Sequence, residues 1–351
     1  MDDWLAPEPF LRGTSWFDGD GRPVRADPGD LARLPWDTAA RAEVPTGVRL
    51  EFTASPGVRA VALRYRAAVP GPRERTRELP HCFGLWQDGA EVCEVLADPV
   101  EEAEVTVPLP SPRSSRPFTV YPPESRAPRF TGIRAVGGRI APAPGRPRWL
   151  VHGDSITEGW LATRPAHAWP AAAGRILGLD PVNLGYAGSA RGDLALAQQL
   201  GRLPAPALTT LAFGTNCWSG VPCSAALLYE TVRTFVALVR AGHPDTPLLV
   251  VSPLLRPEAE HTANPAGATL AALRAAMEEA ARDTAAAGDG RLALLPGRGV
   301  LGPEHLADGL HPNDAGHARL ARAVAAAVRG AWPGLAAGPR PSGRHARADC
   351  G

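Results

Sequence analysis

RWLVHGDSITEG, residues 148–159, marks a change in the texture of the chain. Trp149, Leu150 and Val151 make a short apolar run of the kind buried on both faces, and Gly153-Asp154 breaks it before a helical stretch opens at Ser155. The unit then repeats. A helix is expected from about His167 to Leu177. PVNLG (181–185) precedes one expected over Leu194 to Leu203, LTTLAF (208–213) one over Ala225 to Arg240, and PLLVVS (247–252) one over Ala268 to Ala287, while RLALL (291–295) leads to a final helix. In the Ala225 stretch, Leu228, Val232, Phe235, Val236 and Val239 share one face, the stripe of a core-facing helix. Strand and helix alternating in this way predict a three-layer α/β/α fold around a parallel sheet.

Upstream the period is two. From about Val48 to Ile140 the runs VRLEF, RAVALRYR, FGLWQDGAEVCEV, EVTVPL, RPFTVY and FTGIRAV are all strand-like. Asp88-Gly89 has the composition of a tight hairpin turn, whose second position needs the positive φ that glycine accepts. With no helical pattern between them, these strands predict an antiparallel β-sandwich or jelly roll of about 100 residues. Residues before about 45 are less regular and are expected to pack along it. APAPGRP (141–147) is a proline-rich connector. The expected organisation is a β-sandwich domain over 1–143, an α/β domain over 144–333 and a disordered tail over 334–351, where GPRPSGRHARADCG is polar and rich in Pro, Gly and Arg.

Thirty-seven basic residues, all arginine, stand against thirty-six acidic ones, so the formal charge of +1 carries no nucleic-acid or anionic-membrane footprint. Small molecules are the expected partners. The five cysteines, Cys82, Cys93, Cys217, Cys223 and Cys350, lack C-x-x-C spacing, which argues against a zinc ribbon or a disulfide framework and for reduced thiols. MDDWLAPEPF has no basic segment followed by an apolar run, and no stretch of about 18 apolar residues occurs. A cytoplasmic protein is expected.

Four segments carry the chemistry, each following a strand of the second domain. HGDSITEG (152–159) lifts a serine, Ser155, off a buried strand into the first turn of a helix, where free N–H groups favour developing negative charge. On its own such a serine is more often a plain helix cap. NLGYAGS (183–189) offers Gly188, whose N–H can face an oxyanion, although Gly185 lies three residues earlier. FGTN (213–216) offers the Asn216 amide. DGLHPN (308–313) sets Asp308 and His311 three residues apart on a loop ahead of a helix, from which the imidazole can reach Ser155 across the sheet. Asp154 reads as structural, tying its turn to backbone N–H groups. His305, His311 and His317 with Asp308 raise the question of a metal, but no H-E-x-x-H helix or thiolate partner accompanies them, so none is expected. Trp160, Tyr186 and Trp218 flank the reactive segments and are candidates for the substrate pocket, or for core.

In this order, at the ends of successive strands, GDS, the Gly188 turn, GTN and DGLHP resemble the SGNH/GDSL hydrolase family over Arg148 to Trp332, slightly more than half of the chain. The resemblance implies Ser155 as nucleophile, His311 as base oriented by Asp308, and Ser155, Gly188 and Asn216 as oxyanion-hole donors, with no metal or organic cofactor. Many members carry Asp after the GxN asparagine where this chain has Cys217 followed by Trp218, so the adjoining wall is expected to be less acidic and more aromatic. The β-rich front half resembles the two-domain arrangement of some carbohydrate esterases and of an acyltransferase that decorates an aromatic polyketide. The resemblance leaves three outcomes. They are a carboxyl-ester hydrolase for a small substrate such as an acetylated sugar or glycoside, an acyltransferase onto an alcohol of a secondary metabolite, and an inactive carbohydrate-binding protein.

Overall fold

The structure, a computed structural model, describes residues 3–67, 81–96, 102–110 and 116–336. The front part holds β1 (Leu11–Arg12), β2 (Trp16–Phe17), β3 (Pro23–Val24), helix α1 (Trp36–Ala42) and then β4 (Arg49–Ala54) and β5 (Ala60–Arg66). There follow β6 (Cys82–Gln87), β7 (Ala90–Leu96), β8 (Glu102–Pro108), β9 (Phe118–Tyr121), β10 (Arg129–Val136) and β11 (Ile140–Pro142). Among the described residues one antiparallel sheet runs β1-β4-β9-β6-β7, with β11 also on β4, and a second runs β10-β5-β8. Their inner faces, with Leu50, Phe52, Phe83, Leu85, Phe118 and Val120 from one sheet and Leu63, Tyr65, Val107 and Ile133 from the other, make a single core. This is the expected sandwich. Asp88 (φ 54°) and Gly89 (φ 79°) both lie in the left-handed region, the pairing that matches a two-residue hairpin to strand twist.

The second part begins with β12 (Arg148–Gly153) and α2 (Ser155–Glu158), then α3 (Trp169–Leu177), β13 (Asp180–Gly185) and α4 (Leu194–Arg202). It continues through β14 (Leu208–Ala212), α5 (Asn216–Ser219), α6 (Ala225–Gly242), β15 (Leu248–Val251), α7 (Leu270–Ala286), β16 (Leu292–Leu295) and α8 (Asp314–Ala331). The sheet is parallel, in the order β13-β12-β14-β15-β16. Helices cover both faces. One layer, with α4 and α6, buries Leu196, Leu200, Val232 and Phe235 against the sheet, and the other, with α3 and α8, buries Trp169, Leu320 and Val324. The buried face of α6 is Leu228, Val232, Phe235, Val236 and Val239, the five residues its periodicity picked out.

The segment before β4 divides: Leu5 bridges Ile133, and Phe10 and Leu11 join the sandwich core, as expected, but the residues from Trp16 to Ala42 depart from expectation. Ala26, Leu34 and Ala42 pack with Tyr186 and Leu196 in the α/β core rather than along the sandwich. The cause is Arg25, a buried cation that donates through Nε to the Val44 carbonyl (2.6 Å) and through its other nitrogens to the Arg41 and Gly185 carbonyls. These bonds fold the segment on itself and fasten it to the end of β13. A second buried arginine, Arg49 on β4, is held by Glu51 of the same strand (2.8 Å) and joins the two parts through Asp180 (2.5 Å). Arg175 of α3 adds a third tie, lying 4.5 Å over the Trp86 ring and bonded to the Tyr121 hydroxyl. The polar tail from 337 onward lies outside the described residues. Among the described residues no helix is long and apolar enough to cross a membrane.

Candidate active site

Gly153 at the end of β12 pairs with Gly185 of β13 on one side and Ala212 of β14 on the other, so three strands end level. Because β13 and β14 flank β12 on opposite sides, successive connections leave in opposite directions and open a crevice at its carboxyl end. Two glycines allow α2 to fold back over these ends. A Cβ on Gly153 would stand 2.2 Å from Thr157 Oγ1 and 2.4 Å from the Ala212 carbonyl, and one on Gly185 would stand 2.2 Å from the Glu158 nitrogen. The close turn sets Ser155 at the mouth of the crevice.

From the far side, the loop ahead of α8 brings His311 to it. His311 Nε2 lies 2.8 Å from Ser155 Oγ and Nδ1 lies 2.7 Å from Asp308 Oδ2. Asp308 also accepts the backbone N–H groups of Leu310 (3.0 Å) and His311 (2.7 Å) through Oδ1, so one carboxylate shapes the loop and orients the ring. Burial raises the Asp308 pKa, but the hydrogen bonds from the His311 ring and from the two backbone groups outweigh it and leave the carboxyl below its ordinary value. With Nδ1–H given to Asp308, Nε2 is the lone-pair nitrogen, the tautomer that can take a proton from Ser155.

The other candidates border the same crevice. Gly188 sits on the loop after β13 with φ +74°; a Cβ there would meet nothing within 4 Å, so the sign of φ rather than crowding calls for glycine. Among the described residues neither the Ser155 nor the Gly188 N–H has a hydrogen-bond acceptor. Asn216 opens α5 after β14, and its amide spends one N–H on the Ala190 carbonyl (3.3 Å), with the other remaining for the crevice. Three donors on adjacent strand-end loops can surround a developing oxyanion.

Of the three aromatics, Trp160 stacks on the His311 ring, centroids 5.4 Å apart and planes at 29°. Trp218 is part-buried, gives its indole N–H to the Thr262 carbonyl (2.8 Å) and lies under the Arg256 guanidinium at 4.6 Å. Tyr186 requires correction. It is fully buried against His152 and hydrogen-bonded to the Arg25 carbonyl, so it belongs to the core and not to a substrate wall. Cys217 likewise points into the α/β core rather than along the crevice. Sequence reading missed Glu158, Arg25 and Arg41. Glu158 stands within HGDSITEG, but its partners Ala187, Arg25 and Arg41 lie on other segments of the chain, so the motif does not show what it holds.

Beneath the serine are two ionisable groups of opposite tendency. Asp154, buried, is pushed up to about 7 by loss of hydration, against the lowering effect of the Ile156 and Thr157 N–H groups. His152, buried under Phe235, is pushed down to about 4 by burial and stays neutral, its Nδ1 on the Leu184 carbonyl at 3.1 Å. Since Asp154 binds its proton more tightly when folded, its contribution is complete below the unfolded value of 3.8 and is lost as the pH rises through about 7. His152 acts in the other sense, with stability present above 6.5 and lost as the pH falls through about 4. Asp154→Asn keeps the acceptor for Ile156 and removes one titration. Relative to the parent protein, it is expected to gain roughly 2–4 kcal/mol at pH 8 and almost nothing at pH 4. Urea unfolding of both proteins across that range is the measurement, and a difference that does not change with pH refutes it. A cavity of about 20 Å³ beside Asp154, Thr157 and Ser252 is room for one water and not for a substrate.

No group of three or more His, Cys, Asp or Glu among the described residues is placed to hold a metal. His305 accepts the Gly302 N–H (3.0 Å), and His317 is held between the Trp169 N–H (3.3 Å) and the Trp160 carbonyl (3.0 Å).

A parallel α/β/α sheet with a Ser–His–Asp line at its carboxyl edge defines a class, the serine esterases and acyltransferases of this architecture. Within it, residues 151–319 match the GDSL-like Lipase/Acylhydrolase family, and the chain carries a domain of that family. The whole two-part chain has structural counterparts. The salicylyl-acyltransferase SsfX3 from a tetracycline biosynthetic pathway superposes with a TM-score of 0.81 at 25% identity, over 95% of this chain and 98% of its own. A putative GDSL-like lipase from Bacteroides ovatus gives 0.75 at 20% identity, over 94% and 98%. A family two carbohydrate esterase from Clostridium thermocellum, solved with cellohexaose, gives 0.59 at 16% identity, over 81% and 91%. Comparison with curated proteins finds no match.

Proposed function

We propose that this enzyme is a serine-dependent carboxyl-ester hydrolase working through an acyl-enzyme on a small acylated substrate such as an acetylated sugar or glycoside. The observation that carries the reading is the unbroken line from Ser155 Oγ to His311 Nε2 (2.8 Å) and from His311 Nδ1 to Asp308 (2.7 Å). His311 takes the Ser155 proton as Oγ attacks the ester carbonyl, and Asp308 stabilises the imidazolium. The oxyanion is held by the N–H groups of Ser155 and Gly188 and by the Asn216 amide. As the tetrahedral species collapses, His311 returns the proton to the departing alcohol; water, activated by the same imidazole, then releases the acid and restores Ser155.

Labelling tests the nucleophile directly. A fluorophosphonate is expected to add one phosphonyl group to the folded protein, mapped by mass spectrometry to Ser155; labelling elsewhere, or none, removes Ser155 from the mechanism. Asn216→Ala is expected to lower kcat by about 10²–10³-fold with KM nearly unchanged, because the lost donor acts on charge that exists only in the transition state. A loss confined to KM would instead assign Asn216 to ground-state binding.

A second reading, acyl transfer to an alcohol, is favoured by the likeness to a salicylyl-acyltransferase along nearly the full length of both chains. Trp160, stacked on the base, shields one side of the imidazole from water, which favours an organic acceptor over hydrolysis. Product analysis with mixed acceptors separates the two. Free acid alone at every acceptor concentration counts against transfer, and an ester of the acceptor establishes it.

A further inference from the structure

Glu158 lies on α2 three residues after Ser155 and is 4% exposed. Its carboxylate faces three parts of the molecule at once. Oε2 accepts the Ala187 N–H at 2.8 Å and stands 3.8 Å from Arg25 Nη1; Oε1 receives the Trp160 indole N–H at 3.4 Å and stands 4.0 Å from Arg41 Nη1. Ala187 immediately precedes Gly188. Trp160 is the ring stacked on His311, and the Arg41 guanidinium lies 5.6 Å over that same indole. Arg25 and Arg41 come from the front segment, which is thereby joined to the loop after β13. The loop has other anchors, for Tyr186 gives its hydroxyl to the Arg25 carbonyl and its own carbonyl accepts the N–H groups of Ser189 and Ala190 at 3.1 Å. At Ala187 itself the Ser189 hydroxyl donates to the carbonyl (3.3 Å), and among the described residues the N–H is held by Glu158.

We infer that Glu158 is a positioning residue for the oxyanion loop, its carboxylate holding the Ala187 N–H so that the following peptide presents the Gly188 N–H to the crevice. The inference rests on the proposed role of Gly188 as an oxyanion donor. A hydrogen bond to a transition-state oxyanion is effective only when its donor is already aimed, and a shift of about 1 Å in such a group costs as much as a hundredfold in rate. Loop 185–188 ends at a glycine with φ +74°, the residue type that resists such a shift least. A buried acid supplies the missing stiffness, and Arg25 beside it keeps that acid in place.

A competing role, neutralising the buried Arg25 charge, makes the opposite forecast for two conservative variants. Glu158→Gln keeps a carbonyl oxygen at full reach for Ala187 and gives up the charge. Glu158→Asp keeps the charge and, one methylene shorter, withdraws from Ala187. On the full chain with p-nitrophenyl acetate, Glu158→Asp is expected to lose roughly thirtyfold in kcat with KM within about twofold, and Glu158→Gln only about threefold. Phosphonylation of Ser155 by a fluorophosphonate, whose phosphonyl oxygen uses the same donors, is expected to slow by matching factors. Glu158→Gln worse than Glu158→Asp, no kcat loss in either, or a loss in KM alone overturns the inference. If Glu158→Asp does not fold, a loss of about two- to tenfold in kcat for Glu158→Gln supports the inference, and either no loss or a loss beyond about tenfold overturns it. Ser155→Ala run in parallel separates the two levels. Activity surviving in Ser155→Ala refutes the proposed mechanism, whereas a silent Ser155→Ala beside a normal Glu158→Asp refutes only the role of Glu158.

Discussion

Ser155→Ala is expected to lower kcat toward an ester by about 10⁵-fold or more, His311→Ala by a comparable factor, and the double variant no further than either alone. The reason is that Oγ and Nε2, 2.8 Å apart, form one functional unit. Without the hydroxyl the imidazole has no nucleophile to deprotonate, and without the imidazole the hydroxyl remains a poor nucleophile at neutral pH. A residual acceleration of about 10³-fold over the uncatalysed reaction is expected in all three variants, because the Gly188 and Asn216 donors still polarise a bound carbonyl toward attack by water. KM is expected to change little. Stability changes are also expected to be small, since Ser155 has no bulk to leave a cavity and the hydrogen bond it loses contributes about 1 kcal/mol. The measurement is kcat for the two single variants and the double variant, each checked for an unchanged thermal midpoint. Losses that multiply in the double variant would mean that Ser155 and His311 act in separate steps, and the proposed relay would then be wrong.

Local pattern made much of this fold readable. β12 ends where Gly153-Asp154 breaks its apolar run, and the buried face of α6 follows directly from a 3.6-residue repeat. The Asp88-Gly89 hairpin was readable from the glycine, and the structure adds that Asp88 also adopts a positive φ. The site residues were readable for a related reason. Ser155, Gly188 and Asn216 each sit within a few residues of a strand end, and His311 just ahead of α8, boundaries that small and polar residues mark. The packing of Ala26, Leu34 and Ala42 into the α/β core was not readable, because it follows from Arg25 meeting the Gly185 carbonyl 160 positions away. Tyr186 was misjudged for the same reason. Its neighbours in sequence are reactive-loop residues, but its neighbours in space are His152 and Arg25. The stack of Arg41 on Trp160 on His311 likewise gathers residues from three distant stretches, so no window of sequence contains it.

Asp308→Asn is expected to lower kcat by about 10³-fold, less than loss of the serine and more than loss of one oxyanion donor. Two effects combine. The larger is the tautomer: an asparagine that keeps Oδ1 on the Leu310 and His311 N–H groups turns its NH₂ toward His311 Nδ1, which must then accept a hydrogen bond. The ring proton moves to Nε2, and that nitrogen can no longer take the Ser155 proton. The smaller is the lost stabilisation of the imidazolium. Here the Asp308 side chain is 44% exposed, so water screens much of its charge and this part is weaker than for a buried carboxylate. Asp308→Ala discriminates between the two, because it removes the charge without imposing the wrong tautomer. Its kcat is expected to lie above that of Asp308→Asn. Should the alanine variant prove the slower, orientation of the ring or its charge outweighs the tautomer as the function of Asp308. Equal activity of parent and asparagine variant would remove Asp308 from the relay, leaving it only the backbone bonds that shape the loop.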